Sequence, residues 1–133
     1  AKSHRVHREL TKIANARKQS IALQRGLQAN LEFTENSAAF YRVYQDYTVH
    51  QTALVVLNKS DDAKDVPVTR WLSTGTWRDA VTGEEISVMS DDPSLAVPVP
   101  AHGVRVLLLD AAVNSVQLID ELNRLQAVAE RVN

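Results

Sequence analysis

Between Leu27 and Ala112 the chain is cut into short runs that suit β-strands and leave no room for long helices. Ala39-Phe40-Tyr41-Arg42-Val43-Tyr44 and Thr52-Ala53-Leu54-Val55-Val56-Leu57 are rich in the aromatic and β-branched residues that pack well on a pleated surface. The Gln45–Gln51 stretch between them predicts a hairpin. Val66–Leu72, Gly75–Gly83, Glu85–Met89, Leu95–Val99 and Val104–Leu109 follow as further strands. Asn58-Lys59-Ser60-Asp61-Asp62 is turn chemistry, since these side chains bond their own backbone and compete with a ladder. Pro67, Pro93, Pro98 and Pro100 cannot donate to a ladder, so their strands lie at edges or end there. Short strands at regular spacing predict a sandwich or barrel. The uninterrupted apolar run Leu54–Leu57 predicts a central strand buried on both faces.

Helical spacing marks the two ends. A first helix is expected from Ser3, as N-cap, to Arg25, with Val6, Leu10, Ile13, Ala14 and Ile21 near one stripe and Gly26 at the C-cap. A last helix is expected from Ser115 to Arg131, with Asn114 and Gln117 as a capping pair. Its Leu118, Leu122, Leu125, Ala129 and Val132 recur at spacings of 4, 3, 4 and 3, too short to stand alone as a coiled coil. Leu118, Leu122 and Leu125 are therefore the helix-packing candidates. The two stripes are expected to cover each other, within one chain or between two, because the first helix is basic and the last carries Asp120, Glu121 and Glu130. The competing outcome is a first helix that frays, since an isolated helix of this length is marginal in water. The expected division is 1–26, 27–112 and 113–133. The expected class is mainly β: an antiparallel sandwich flanked by an N-terminal and a C-terminal helix.

Composition narrows the chemistry. In 133 residues, 44% are hydrophobic and only 5% aromatic, so the core must be mostly Val, Leu, Ile and Ala. The absence of cysteine rules out disulfides, thiolate metal sites and a cysteine nucleophile. No apolar run approaches the roughly 20 residues of a membrane span. The chain opens on Ala1 without a signal peptide, and a processed form or a piece of something longer is expected. Residues 1–26 hold seven basic side chains against one acid, while residues 27–112 hold six against twelve. With no aromatic interleaved and no nucleic-acid motif, the basic helix reads as a solvated face or one docked on an acidic neighbour. His4 and His7 lack a third ligand at metal spacing, and His50 and His102 lie in turns without a recognisable nucleophile. Asp61-Asp62 and Asp91-Asp92 are adjacent pairs that read as turns, not acid–base dyads. Four scattered glycines build no phosphate loop. No catalytic residue, metal or cofactor is expected. Trp77 is expected in or against the core. Trp71 and Tyr47 are the sugar-contact candidates, because a pyranose stacks on an exposed ring; the competing reading is an interdomain packing residue.

The order of segments resembles the α-amylase family of glycoside hydrolases. Leu10-Thr11-Lys12-Ile13-Ala14-Asn15-Ala16-Arg17-Lys18, then Ala22-Leu23-Gln24-Arg25-Gly26, resembles the last helix of that family's catalytic barrel, which often reads "LIxLRKxxPALxxG". Phe40-Tyr41-Arg42 and Leu54-Val55-Val56-Leu57-Asn58-Lys59-Ser60 are similar to its aromatic-x-Arg and "LVVLNxS" strands. Gly75-Thr76-Trp77-Arg78-Asp79-Ala80-Val81-Thr82-Gly83-Glu84 is similar to "GTWxDxxTGE", and Val99-Pro100-Ala101-His102-Gly103-Val104-Arg105-Val106-Leu107 to "VPAHGVRVL". The resemblance covers roughly residues 6–110. The usual proline before Ala22-Leu23 is missing, with Ser20-Ile21 in its place, and the tail Val113–Asn133 has no counterpart. The resemblance implies a non-catalytic Greek-key C-terminal domain, carried with the final barrel helix, whose partner is the catalytic (β/α)8 barrel of the same parent protein, with α-glucan as a further candidate partner. The barrel's catalytic carboxylates lie upstream, so none is carried over. The implied parent cleaves or transfers α-glucosidic bonds by a retaining mechanism with two carboxylates. An α-glucan-binding module and a helix-mediated oligomerisation module are the alternatives. Cytoplasmic, periplasmic and secreted locations are all compatible, and neither nucleic acid nor membrane is an expected partner.

Overall fold

The computed structural model describes residues 11, 14–89 and 94–132, without the side chains of 32, 33 and 129–132. Ser3, His4, Val6, His7, Leu10, Ile13, Asp91, Asp92 and Pro93 lie outside the described residues, and so do the side chains of Ala129 and Val132. Two short helices, α1 (residues 14–19) and α2 (Ile21–Arg25), lead into β1 (Leu27–Phe33), β2 (Ser37–Gln45) and β3 (His50–Asn58). After them come β4 (Lys64–Val68), β5 (Gly75–Asp79), β6 (Glu85–Val88), β7 (Leu95–Val99), β8 (Val104–Leu109) and the helix α3 (Val116–Val132).

The strands form an antiparallel sandwich. One sheet has the order β1-β2-β3-β8-β5-β6, and the other pairs β4 with β7. After the β5–β6 hairpin the chain crosses to β7 in the small sheet and returns with β8 between β3 and β5. β3 lies inside the large sheet between β2 and β8. Leu54, Val55 and Val56 are buried, as an uninterrupted apolar run requires, and Leu57 is half-buried. Pro67 and Pro98 sit inside β4 and β7, the two strands of the small sheet.

Alternation splits the large sheet's side chains between two clusters. Tyr41, Leu54, Val56, Trp77, Leu107 and Leu109 point inward toward Val66, Val68, Val97 and Val99 of the small sheet. Ala53, Val55, Ala80, Val106 and Leu108 point outward and meet Ala16 and Ala22 of α1 and α2. Trp77 is fully buried and donates its indole N–H to the Ser73 carbonyl at 3.0 Å, as a buried ring with one polar atom must.

Several expectations are corrected. The first helix is not continuous to Arg25. Ser20 has extended backbone, φ −124° and ψ 114°, and its hydroxyl accepts from the Leu23 N–H, so it caps a new helix. Gly26 does cap that helix, donating to the Ala22 carbonyl at 2.8 Å, but with φ −69° it is not left-handed. A glycine is needed there for room: a Cβ would stand 2.5 Å from the Ala22 oxygen and 2.8 Å from the Val43 nitrogen. The strand expected at Val66–Leu72 ends at Val68, and Trp71 turns the chain away at φ 62°. The strand from Gly75 stops at Asp79, whose carboxylate receives the next turn's N–H groups. Ser115, not Asn114, reaches the Leu118 N–H at the start of α3, because Asn114 is taken up by both backbone groups of Thr74.

Among the described residues of this one chain, the terminal helices do not cover each other. Leu118 and Leu122 are buried in the inner cluster, with Leu125 packed against it, while Ala16 and Ala22 belong to the outer cluster. The helices therefore lie on opposite faces of the large sheet. The described part of the leucine stripe of α3, Leu118, Leu122 and Leu125, packs at the end of the sandwich beside β1.

Candidate functional site

The sequence motifs meet in space as structural joints. Asp79 accepts from the Val81 and Thr82 N–H groups at 2.7 and 2.9 Å and from Arg105 Nε at 2.7 Å. Burial works to raise the Asp79 pKa, but these bonds more than offset it and hold the carboxyl below the ordinary aspartate range. The pair ties the Gly75–Glu84 segment to the Val99–Leu107 segment. Asn58 does the same on the other side of the turn. Its amide donates to the carbonyls of Asp62, Val99 and Pro100, and its carbonyl oxygen accepts from the Ser60 N–H and hydroxyl. These bonds hold the loops in place. Beside Asp79 and Arg105 a shallow cleft of about 580 Å³ is lined by Lys64, Asp65, Thr82 and Glu84 as well, without an aromatic ring.

Two histidines lie among the described residues. His102, at φ 55° in its turn, lies 2.6 Å from Asp61 through Nε2. His50 opens β3 in an exposed position. Among the described residues no group of three or more His, Asp or Glu stands where it could hold a metal ion. No described helix is long and apolar enough to cross a membrane.

The outer face of the large sheet carries the N-terminal helices and an open cleft. The N-terminal helices are fixed to it by a buried polar joint. Ser20 Oγ donates to Gln51 Oε1 at 2.7 Å, the Ala22 N–H donates to the same oxygen at 3.2 Å, and Gln51 Nε2 donates to Asp110 at 2.6 Å. Arg78 reaches the other oxygen of Asp110 at 3.1 Å in an exposed pair that contributes little by itself. Arg42 Nε holds the Gly26 carbonyl at 3.0 Å. Alanines at 16 and 22 let the helices lie close. Beside them the same face remains open as an apolar cleft of about 230 Å³, lined by Leu23, Phe40, Val55, Leu57 and Val106 with Arg17, Gln28 and Arg42 at its polar positions. Gln51 and Asp110 were not singled out from the sequence. They are 59 residues apart, and no local pattern signals a joint of that span.

The two sugar-contact candidates are not brought together. Tyr47 stands fully exposed at the tip of the β2–β3 hairpin. Trp71 is half-buried, packs against the inner cluster, and carries the Arg70 guanidinium 4.6 Å above its ring. Neither lines the 580 Å³ cleft or a second one, of about 380 Å³, beside α3.

No protein-family model matches the chain, and no curated protein does. Solved structures do. An α-amylase from Anoxybacillus superposes with a TM-score of 0.60 at 20% identity, over 80% of this chain and 22% of that one. AmyP, solved in complex with maltose, gives 0.60 at 19% identity, over 74% of this chain and 19% of its own. α-Galactosidase I from Mortierella vinacea gives 0.53 at 19% identity, over 71% and 27%. The chain thus has the fold of one portion of these longer chains, and it spans about a quarter of their length or less.

Proposed function

We propose that this chain is the non-catalytic C-terminal β-domain of an enzyme of the α-amylase family, carried together with the last helix of its catalytic barrel. The observation that carries the reading is the outer face of the large sheet. Helices at its start are joined to it through buried Ser20 and Gln51, and an apolar cleft beside them stays open to a neighbour. The motifs that resemble the family's support it, because their Arg42, Asn58, Asp79 and Arg105 serve as structural joints. In this reading residues 1–26 belong to the barrel, residues 27–112 cover its apolar surface, and α3 seals the sandwich on the far side. The catalytic carboxylates lie in the barrel, and α-glucans such as starch, maltodextrin or cyclodextrin are the substrates. The test is to express the complete gene product with and without residues 27–133. The expected result is a barrel that keeps its catalytic groups but melts earlier and aggregates, and a 133-residue chain that turns over no maltooligosaccharide. A complete product without an upstream barrel, or turnover by the isolated chain after repeated purification, overturns the proposal.

A further inference from the structure

We propose that the cleft of about 380 Å³ between α3 and the hairpin end of β2 is a binding site for a short neutral oligosaccharide. Its polar lining is made of planar groups: the amides of Gln45, Asn123 and Gln126, the guanidinium of Arg25 and the phenol of Tyr44. An amide offers a donor and an acceptor side by side, which matches a pair of neighbouring sugar hydroxyls. The floor, which includes buried Leu122, is apolar and suits the C–H face of a pyranose ring. The volume falls in the roughly 300–1,000 Å³ range of small-molecule sites.

Charge selects a neutral ligand over an anionic one. Arg25 is the one charged residue in the lining, and Asp46 stands at the cleft's margin, bound by the Tyr44 hydroxyl at 2.8 Å. Asp46 is held ionised down to about 2, chiefly by the Thr48 N–H and then by Tyr44, so a negative charge stands at the margin of the cleft. A phosphate or carboxylate ligand meets that charge, whereas a polyol does not. The site also gives α3 a second use, because this helix supplies both the apolar seal and two of the three amides. Only the choice of an α-linked sugar rests on the proposed family; the cleft itself does not.

The experiment is a nuclear magnetic resonance titration of the whole 133-residue chain with maltotetraose, and in parallel with cellotetraose and inorganic phosphate. The expected result is that maltotetraose shifts the side-chain amide signals of Asn123, Gln126 and Gln45. Asn123→Ala and Gln126→Ala should each weaken binding about tenfold, a loss of one good hydrogen bond. Both positions are exposed on α3 and alanine is a strong helix former, so the fold is kept. Tyr47→Ala should leave the shifts in place. No shift with either sugar, a stronger response to phosphate, or loss of binding in Tyr47→Ala alone overturns the cleft and leaves the test of the parent enzyme unaffected. Shifts of these amides by cellotetraose and not maltotetraose support the cleft and overturn the α-glucan reading.

Discussion

The two faces of the large sheet share every strand but differ in how they are finished. The inward face carries large side chains, Tyr41, Leu54, Trp77, Leu107 and Leu109, and is closed by the small sheet and by α3. The outward face carries Ala53, Ala80 and valines, is covered by alanines of α1 and α2, and leaves Leu23, Phe40, Tyr44 and Leu57 half-exposed. One face is closed within the chain, and the other leaves an apolar cleft open. The two faces separate by alternation along the same strands: Leu54 and Val56 lie in the inner cluster, while Val55 and Leu57 beside them line the open cleft.

The harshest way to break this contrast is to put a charge on each face of β3. Val56→Asp buries an unpaired carboxylate in the inner cluster and should abolish the cooperative melting transition. Leu57→Asp, one residue on at the half-buried outer cleft, should leave a cooperative transition in the isolated chain. Equal loss in both would show that the outer face is as closed as the inner one. Thermal unfolding followed by circular dichroism decides.

Next in size is the rim of the inner face. Asp79→Asn leaves the largely buried Arg105 without its counter-charge and should cost about 2–3 kcal/mol. Because the folded pKa of Asp79 is lowered, its contribution is fully present above the unfolded value of about 3.9 and is lost as pH falls through the lower folded value. The Asn variant should therefore lose less stability than the parent over that acid range, as urea titrations at stepped pH would record. Loosening the outer face costs less: Gln51→Ala strips the acceptor from Ser20 and the Ala22 N–H and should cost about 1–3 kcal/mol. Hydrogen exchange should quicken at Ala22 and Leu23 with the β3 and β8 amides unchanged. If all amides quicken together, the helices are part of the inner unit. The smallest change is a gain. The Thr52 hydroxyl is buried in the large sheet without a hydrogen-bond partner, so Thr52→Val should raise stability by about 1 kcal/mol.

The strands were readable because burial on a pleated surface leaves local marks. Leu54–Leu57 announces a central strand, and Phe40, Tyr44 against Tyr41, Val43 announce two faces. β1 was not among the named strands. Its Leu27, Ala29 and Leu31 alternate with Gln28 and Asn30, a weaker signal than an apolar run, and it follows a helix with Gly26 alone between them. The break at Ser20 had a local mark, a good N-cap residue inside the helical stretch, but helical spacing continued across it. The stripe of α3 was legible and its target was not, because a stripe shows that a surface is needed and not which one. The polar joint at Gln51 left no local mark at all. It depends on Ser20, Gln51 and Asp110 meeting from three separate elements. The site candidates Trp71 and Tyr47 were found by ring chemistry, which cannot see that Arg70 already lies over one of them.

The position of β8 has a consequence for how the protein is made. The last strand in the chain lies between β3 and β5, and it alone joins the β1-β2-β3 half of the large sheet to the β5-β6 half. During synthesis the first three strands leave the ribosome and can pair, yet the free edge of β3 presents Leu54-Val55-Val56-Leu57 until Val104–Leu109 arrives some fifty residues later. Pairing across so long a stretch is slow to nucleate, and an unpaired apolar edge is where nascent chains stick to one another. A ribosome that stalls between Asn58 and Val104 would release a fragment whose most adhesive surface is the one the finished protein hides best.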